Sequence, residues 1–96
     1  MGKKIINTSK SPAPIGPYNQ AILKGNTLFI SGQIALDAKS MKLNNRSIND
    51  ETHQVMQNLK NILEEANMNF NDVVKSSIFL SDMSLFKKVN RYTVVI

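Results

Sequence analysis

An apolar repeat between residues 50 and 66 places the strongest constraint on the fold. The side chains that recur there at spacings of three and four are Thr52, Val55, Met56, Leu59, Ile62, Leu63 and Ala66. This spacing puts them on one face of a helix, which must pack against another element. We expect Asn49 or Asp50 to cap the start of the helix and Asn67 to end it.

Strand-like runs precede the helix. Residues 3–9, "KKIINTS", predict a short edge strand, and the prolines of residues 10–17 exclude both a helix and a central strand there. Residues 18–23 and 27–31 then read as the two strands of a hairpin, with the turn at 24–26. The polar residues before the helix predict an irregular surface loop.

A third strand and a second helix are predicted after the first helix. Residues 72–80, "DVVKSSIFL", are rich in β-branched and aromatic side chains, which favours a strand. Ser81 or Asp82 is expected to cap a second helix from about Met83. A further strand should follow to complete the sheet, but residues 93–96, "TVVI", offer only a short run.

The predicted order is strand, hairpin, helix, strand, helix. It indicates one domain over residues 1–96, an α+β sandwich with a mixed sheet and two helices on one face. The predicted strands leave an exposed edge, and a domain of this size buries only about 60–65% of its unfolded surface. We therefore expect either an assembled oligomer or a domain that is incomplete at its C-terminus.

The charge pattern favours a solvated surface over a nucleic-acid footprint. The net charge is +5, and the ten lysines are scattered from Lys3 to Lys88. Basic footprints usually show clustering, often with arginine and aromatic residues. The chain has no cysteine, which excludes disulfides and thiolate metal sites. It also shows no signal-peptide run and no membrane span, so we expect a cytoplasmic protein.

Few residues qualify as catalytic from their type and spacing alone. His53 is the single histidine and lies off the apolar stripe, so it is expected to be solvated, and the sequence shows no metal constellation, phosphate loop or paired carboxylates. The remaining neutral polar groups near loops are Tyr18, Ser31 with Gly32, and Asn90. Packing, a strand-end turn and a helix C-cap are the competing structural explanations for them.

The segment "APIGPYNQAI", residues 13–22, raises the interest of Tyr18. Pro14 and Pro17 stiffen the backbone on both sides of Gly16, which allows a turn. A linker tolerates this composition without needing the aromatic residue, whereas a binding site needs both. We expect the segment to hold Tyr18 at the mouth of a cleft.

Three segments carry a resemblance to a known family. "SPAPIGPYNQAI", "LFISGQIALD" and the run from Gln54 to Asn90 resemble the reactive intermediate deaminase A family, also called the RidA, YjgF or endoribonuclease L-PSP family. The likeness extends from about Ile5 to Asn90. It implies a chorismate mutase-like fold, a homotrimer with its sites between subunits, and a cofactor-free reaction. That reaction converts enamines and imines such as 2-aminoacrylate, 2-iminobutanoate and 2-iminopropanoate to 2-keto acids and ammonia.

The resemblance also assigns site residues. The family's tyrosine falls on Tyr18, the serine of its "SGQ" segment falls on Ser31 beside Gly32, and the asparagine of its "VN" pair falls on Asn90. These groups are expected to orient the substrate and a water molecule through hydrogen bonds, with Gly32 in the substrate-binding segment. No membrane partner is expected, and nucleic acid is not favoured as a partner.

The C-terminal part departs from the family. The family carries a further segment with an arginine in a "PAR" motif that binds the substrate carboxylate, and a glutamate that positions water, and neither is found before Ile96. We therefore expect a truncated or frame-shifted product with impaired deaminase activity. The alternatives are a non-catalytic ligand-binding remnant and an RNA-acting translation inhibitor or endoribonuclease-like protein.

Overall fold

The computed structural model describes residues 3–13, 19–75 and 84. Strand β1 spans Lys3–Ile6, β2 spans Ala21–Lys24 and β3 spans Thr27–Ile30, and they are followed by helix α1 at Ile48–Glu65 and a short 3-10 helix at Phe70–Asp72. The predicted order of strand, hairpin and helix is therefore confirmed, and the protein is of the α+β class. The predicted second helix, apart from Ser84, and residues 76–80 of the predicted third strand lie outside the described residues.

The three strands form a sheet in the order β1-β2-β3. Both pairs are antiparallel, with Ile6 opposite Ala21 and Ala21 opposite Ile30. In this described sheet β1 pairs with β2 alone, which confirms it as an edge strand. The predicted mixed sheet needs a parallel pair, and the described strands do not include one.

The hairpin turn is tighter than predicted. Lys24 belongs to β2 and pairs with Thr27, so Gly25 and Asn26 alone form the turn. Gly25 has a φ of 60°, a left-handed conformation that glycine adopts without the steric cost of a Cβ atom. The prediction of a turn over residues 24–26 was therefore wrong by one residue at its start.

Helix α1 starts earlier than the predicted caps allow. Ser47 is the N-cap, because its backbone is extended and its hydroxyl accepts a hydrogen bond from the backbone N–H of Asp50 at 3.1 Å. The prediction that Asn49 or Asp50 caps the helix was wrong, since both lie inside its first turn. Asn67, with a φ of 59°, follows the C-cap and confirms the predicted end.

The core lies between α1 and one face of the sheet. Ile6, Ala21 and Ile62 form the buried centre, and the half-buried side chains packed against it are Leu23, Leu28, Ile30 and Ala66. Ile62 is fully buried, which confirms that the apolar stripe faces the sheet. Asn58 shares this buried face although it is polar, and it is only 1% exposed.

The segment after α1 differs from its prediction. Asp72 belongs to the 3-10 helix, and residues 73–75 are not in a strand, so the predicted strand does not begin at residue 72. The cause is local: the Asn69 side chain accepts from the Asn71 N–H at 2.8 Å, while the Asp72 carboxylate accepts from the Asn69 N–H at 2.9 Å. This reciprocal capping box stabilises a helical turn.

The predicted irregular loop before α1 contains an ordered turn. Leu36 and Leu43 form an antiparallel bridge, and between them the Asp37 carboxylate accepts from the N–H groups of Lys39 and Ser40, each at 2.9 Å. These bonds hold the pKa of Asp37 below its ordinary value, with the Ser40 N–H the larger cause and the Lys39 N–H next. Within the described ranges, none of the helices has the length and hydropathy needed to cross a bilayer.

Candidate functional site

Ser31 lies directly after β3 and its hydroxyl is held in one orientation. Its N–H and its Oγ both donate to the carbonyl oxygen of Gln20, at 3.0 and 3.1 Å. The Gln33 amide donates to the Ser31 carbonyl oxygen at 3.1 Å and to its Oγ at 3.4 Å. Because the hydroxyl proton is engaged with Gln20 and one acceptor position with Gln33, Oγ keeps its second acceptor position for a ligand.

Of the other predicted site residues, the structure describes only Gly32. Gly32 is exposed, and a Cβ atom there would meet nothing within 4 Å, so steric space does not require glycine. Tyr18 and Asn90 lie outside the described residues. Their assignment as site residues stays a prediction. His53 is exposed on α1, which confirms the expectation that it is solvated.

Gln20 organises the segment that precedes the prolines. Its side chain is buried, with 3% exposed, and its Oε1 accepts from the Thr8 N–H at 2.6 Å. Its Nε2 donates to the carbonyl oxygens of Thr8 at 3.0 Å, Ser11 at 3.2 Å and Pro12 at 2.8 Å. One amide therefore fixes residues 8–12 against the start of β2, beside the carbonyl that orients Ser31.

Asn58 fixes a second segment from the helix. Its Nδ2 donates to the carbonyl oxygens of Ile34 at 3.1 Å and Leu36 at 3.0 Å. Its own backbone carbonyl accepts from the Ser11 hydroxyl at 2.7 Å. The helix thus holds both the segment after Ser31 and the segment before the prolines.

These segments line an open cleft of about 170 Å³. Its described lining residues come from the two anchored segments and from Gln20: Pro12, Ala13, Gln20, Ser31, Gly32, Gln33, Ile34 and Leu36. Pockets for drug-sized ligands usually exceed about 300 Å³, so this cleft suits a small molecule. The described lining combines apolar groups with neutral donors and acceptors and includes no ionisable side chain.

Sequence reasoning missed both amides that shape this cleft. Gln20 stands inside the quoted "PYNQA" segment, but its partners are up to 12 residues away in the chain. Asn58 could have been identified from the sequence, because it is a polar residue on the buried face of the helix, among the apolar residues of the stripe. A buried polar side chain needs hydrogen-bond partners, so its position predicts a polar contact even though its partners cannot be read from spacing.

A family model described as "Endoribonuclease L-PSP" matches residues 8–94 of the chain. Among curated proteins, a RutC family protein of Pyrococcus horikoshii is 49% identical over 88 residues, which cover 92% of this chain and 70% of that protein. The 2-iminobutanoate/2-iminopropanoate deaminase of Mus musculus is 44% identical over 88 residues, covering 92% of this chain and 65% of the mouse protein.

A solved structure agrees with these sequence matches. The crystal structure of RidA from the Antarctic bacterium Psychrobacter superposes with a TM-score of 0.89 at 41% identity, and the match covers 95% of this chain and 73% of that one. At this identity the likeness extends beyond the backbone fold. The chain thus matches about two thirds to three quarters of the length of these three proteins.

Proposed function

The chain belongs to the endoribonuclease L-PSP family, also known as the RidA family, and from this membership we propose that it is a hydrolase of small enamines and imines. The proposed substrates are 2-aminoacrylate, 2-iminobutanoate and 2-iminopropanoate. The mouse relative carries the name of this activity. The observation that carries the proposal is the Ser31 hydroxyl, oriented by the Gln20 carbonyl in a small cleft whose described lining is neutral.

The reaction requires no redox step and no cofactor. The enamine 2-aminoacrylate first becomes 2-iminopropanoate by gaining a proton at C3 and losing one from nitrogen. Water then adds to the imine carbon and forms a C–O bond, a proton passes to nitrogen, and the C–N bond breaks to release ammonia. The carbinol oxygen loses its proton, so a 2-keto acid remains. In this scheme Ser31 Oγ accepts a hydrogen bond from the attacking water or from the imine N–H, and so fixes the direction of attack.

Tyr18, Asn90 and Gly32 complete the proposed site. Tyr18 and Asn90 would hydrogen-bond the substrate or water from further walls, and Gly32 would line the path of the substrate beside Ser31. Neutral groups suit this chemistry because they orient an imine without protonating every basic atom in reach. We place the enzyme in the cytoplasm, where pyridoxal-phosphate enzymes release such intermediates.

The outer face of the sheet supports a further proposal, assembly as a homotrimer. Ile5, Ile22 and Phe29 are paired across the three strands and lie on the face opposite the core. Ile5 is 56% exposed and Phe29 is 63% exposed. A contiguous apolar row of this kind is typical of a contact between chains. Sedimentation equilibrium tests the assembly, and a trimer that Phe29→Lys dissociates is the expected result.

The proposed activity is tested by the release of ammonia and keto acid. 2-Iminobutanoate is generated in the cuvette by a threonine dehydratase, and 2-oxobutanoate formation is followed with and without the chain. We expect acceleration over buffer, a loss of about 10- to 1000-fold in kcat/KM for Ser31→Ala, and no loss for Ser40→Ala, an exposed serine outside the described cleft lining.

Each negative result has a defined meaning. No acceleration over buffer contradicts the deaminase proposal for this chain. Saturable binding of 2-oxobutanoate without turnover would instead support a ligand-binding module. RNA cleavage that falls steeply with added salt would support the RNA-directed alternative.

A further inference from the structure

Asn58 is oriented before it contacts the cleft segment. The Gln54 amide donates to Asn58 Oδ1 at 3.0 Å, so the Asn58 NH2 group must point the other way. That group donates to the carbonyl oxygens of Ile34 and Leu36, both of which line the cleft. The Asn58 side chain therefore uses its oxygen as an acceptor and its NH2 group as a donor to two carbonyl oxygens.

The opposite wall of the cleft is tied to the same residue. Ser11 is 2% exposed, and its hydroxyl donates to the Asn58 carbonyl oxygen at 2.7 Å. Pro12 and Ala13, which line the cleft, follow Ser11 directly in the chain. Asn58 thus holds Ile34 and Leu36 through its side chain, and through its backbone carbonyl it holds Ser11, which Gln20 also anchors and which Pro12 and Ala13 follow.

Asn58 itself is tied to the core. Ile62 lies four residues along α1 on the same face, is fully buried, and packs with Ile6 and Ala21 of the sheet. A shift of Asn58 would move a packed helix turn, which close packing resists. Both cleft walls are therefore linked, through Asn58, to the packed core of the described structure.

We infer that Asn58 is a positioning residue that sets the width of the cleft and, through it, the length of the substrate side chain accepted. This inference rests on the proposed deaminase function. The apolar lining groups Pro12, Ala13, Ile34 and Leu36 suit a substrate with an aliphatic side chain. Asn58 does not touch the substrate in this scheme, because its amide is spent on the two carbonyl groups.

The test compares two substrates that differ by one methylene group, 2-iminopropanoate and 2-iminobutanoate. Ser11→Ala removes one of the two wall links and keeps the Asn58 side chain. Asn58→Asp replaces the NH2 donor by an acceptor that faces two carbonyl oxygens. Gln57→Glu on the same helix adds the same charge at an exposed position, where its amide donates to Asn61 at 3.2 Å, and serves as the control.

We expect the ratio of kcat/KM values, 2-iminobutanoate over 2-iminopropanoate, to rise at least about threefold in Ser11→Ala and in Asn58→Asp. The ratio should stay unchanged in Gln57→Glu. A variant that is merely less folded loses both activities in proportion, so the ratio separates positioning from stability. Equal losses on both substrates in Ser11→Ala would overturn the inference.

Hydrogen exchange tests the links from Asn58 to the two cleft walls without an activity assay. In Asn58→Asp, the N–H groups of Leu36 and Asn44, which bond to Ile34 and Ala35, should exchange faster than in wild type while the β2–β3 amides stay protected. If Asn58→Asp does not fold, Ser11→Ala should show faster exchange at the Thr8 N–H, which bonds to Gln20.

Failure of the proposed function can be distinguished from failure of the positioning role of Asn58. A wild-type chain without deaminase activity but with these local exchange changes contradicts the proposed function and leaves Asn58 as the link between the walls. An active wild-type chain with unchanged exchange and an unchanged substrate ratio overturns the positioning role and leaves the proposed function intact.

Discussion

Replacing Gln20 by methionine should be among the most damaging single changes in the described structure. Methionine keeps the length of the side chain and approximately its volume, so the change isolates the polar groups. The Gln20 amide makes four side-chain hydrogen bonds, one from the Thr8 N–H and three to carbonyl oxygens of Thr8, Ser11 and Pro12. All four are lost together in Gln20→Met.

The expected cost follows from the burial of each partner. The Ser11 carbonyl is buried, and a buried acceptor left without a donor costs about 1–3 kcal/mol. The remaining three bonds, to Thr8 and Pro12, are part-buried and contribute about 0.5–1 kcal/mol each because water can replace some of them. The sum is a loss of about 2.5–6 kcal/mol, against a total of about 5–15 kcal/mol for a small domain.

Urea denaturation followed by circular dichroism measures this loss. The matched control is Gln57→Met, which removes an exposed amide on α1 and should change the free energy of unfolding by less than about 0.5 kcal/mol. The slope against urea should stay the same in both variants. A loss below about 1 kcal/mol for Gln20→Met would refute the claim that this amide anchors residues 8–12.

Three further outcomes are expected. Ser47→Ala should lower the free energy of unfolding by about 1 kcal/mol in urea denaturation, because the N-cap bond of α1 is lost. Ile62→Ala should lower it by about 2–5 kcal/mol in the same assay, since the side chain is fully buried in the core. The pKa of Asp37 is below its ordinary value of 3.8. The stabilisation that its ionised carboxylate gives the folded state is therefore fully present above pH 3.8 and is lost as the pH falls through the lowered pKa. In an NMR titration the Ser40 N–H shift should follow this midpoint, and Asp37→Asn should abolish the dependence.

The elements that sequence could predict are those determined by local periodicity. The apolar stripe that ends at Ala66 has the spacing of an α-helix, so the helix itself could be predicted. Asn67 could be predicted as its end because asparagine tolerates the left-handed conformation found there. The start of α1 was ambiguous for a physical reason. Ser47, Asn49 and Asp50 all carry side chains able to cap a helix, and only the backbone conformation of the preceding loop decides among them.

The cleft could be predicted only in part. Ser31 could be predicted from the sequence of its segment. The contacts that hold the cleft walls join positions far apart in the chain: Ser11 and Asn58 are 47 residues apart, and Asn58 and Ile34 are 24 apart. No periodicity encodes such pairs. They arise because packing α1 on the sheet brings loop carbonyls to the buried helix face, where a donor is required.

The neutrality of the described cleft has a consequence for pH dependence. Gln20 and Asn58 hold the walls through amide groups, which do not titrate, and the described lining includes no acid or base. The geometry around Ser31 should therefore stay constant between about pH 5 and 9, since Asp37 titrates below this interval. Under the proposed function, kcat/KM in this range should follow the ionisation of the imine alone. An additional midpoint that Ser31→Ala leaves unchanged would place a titrating group of the reaction outside the described cleft lining.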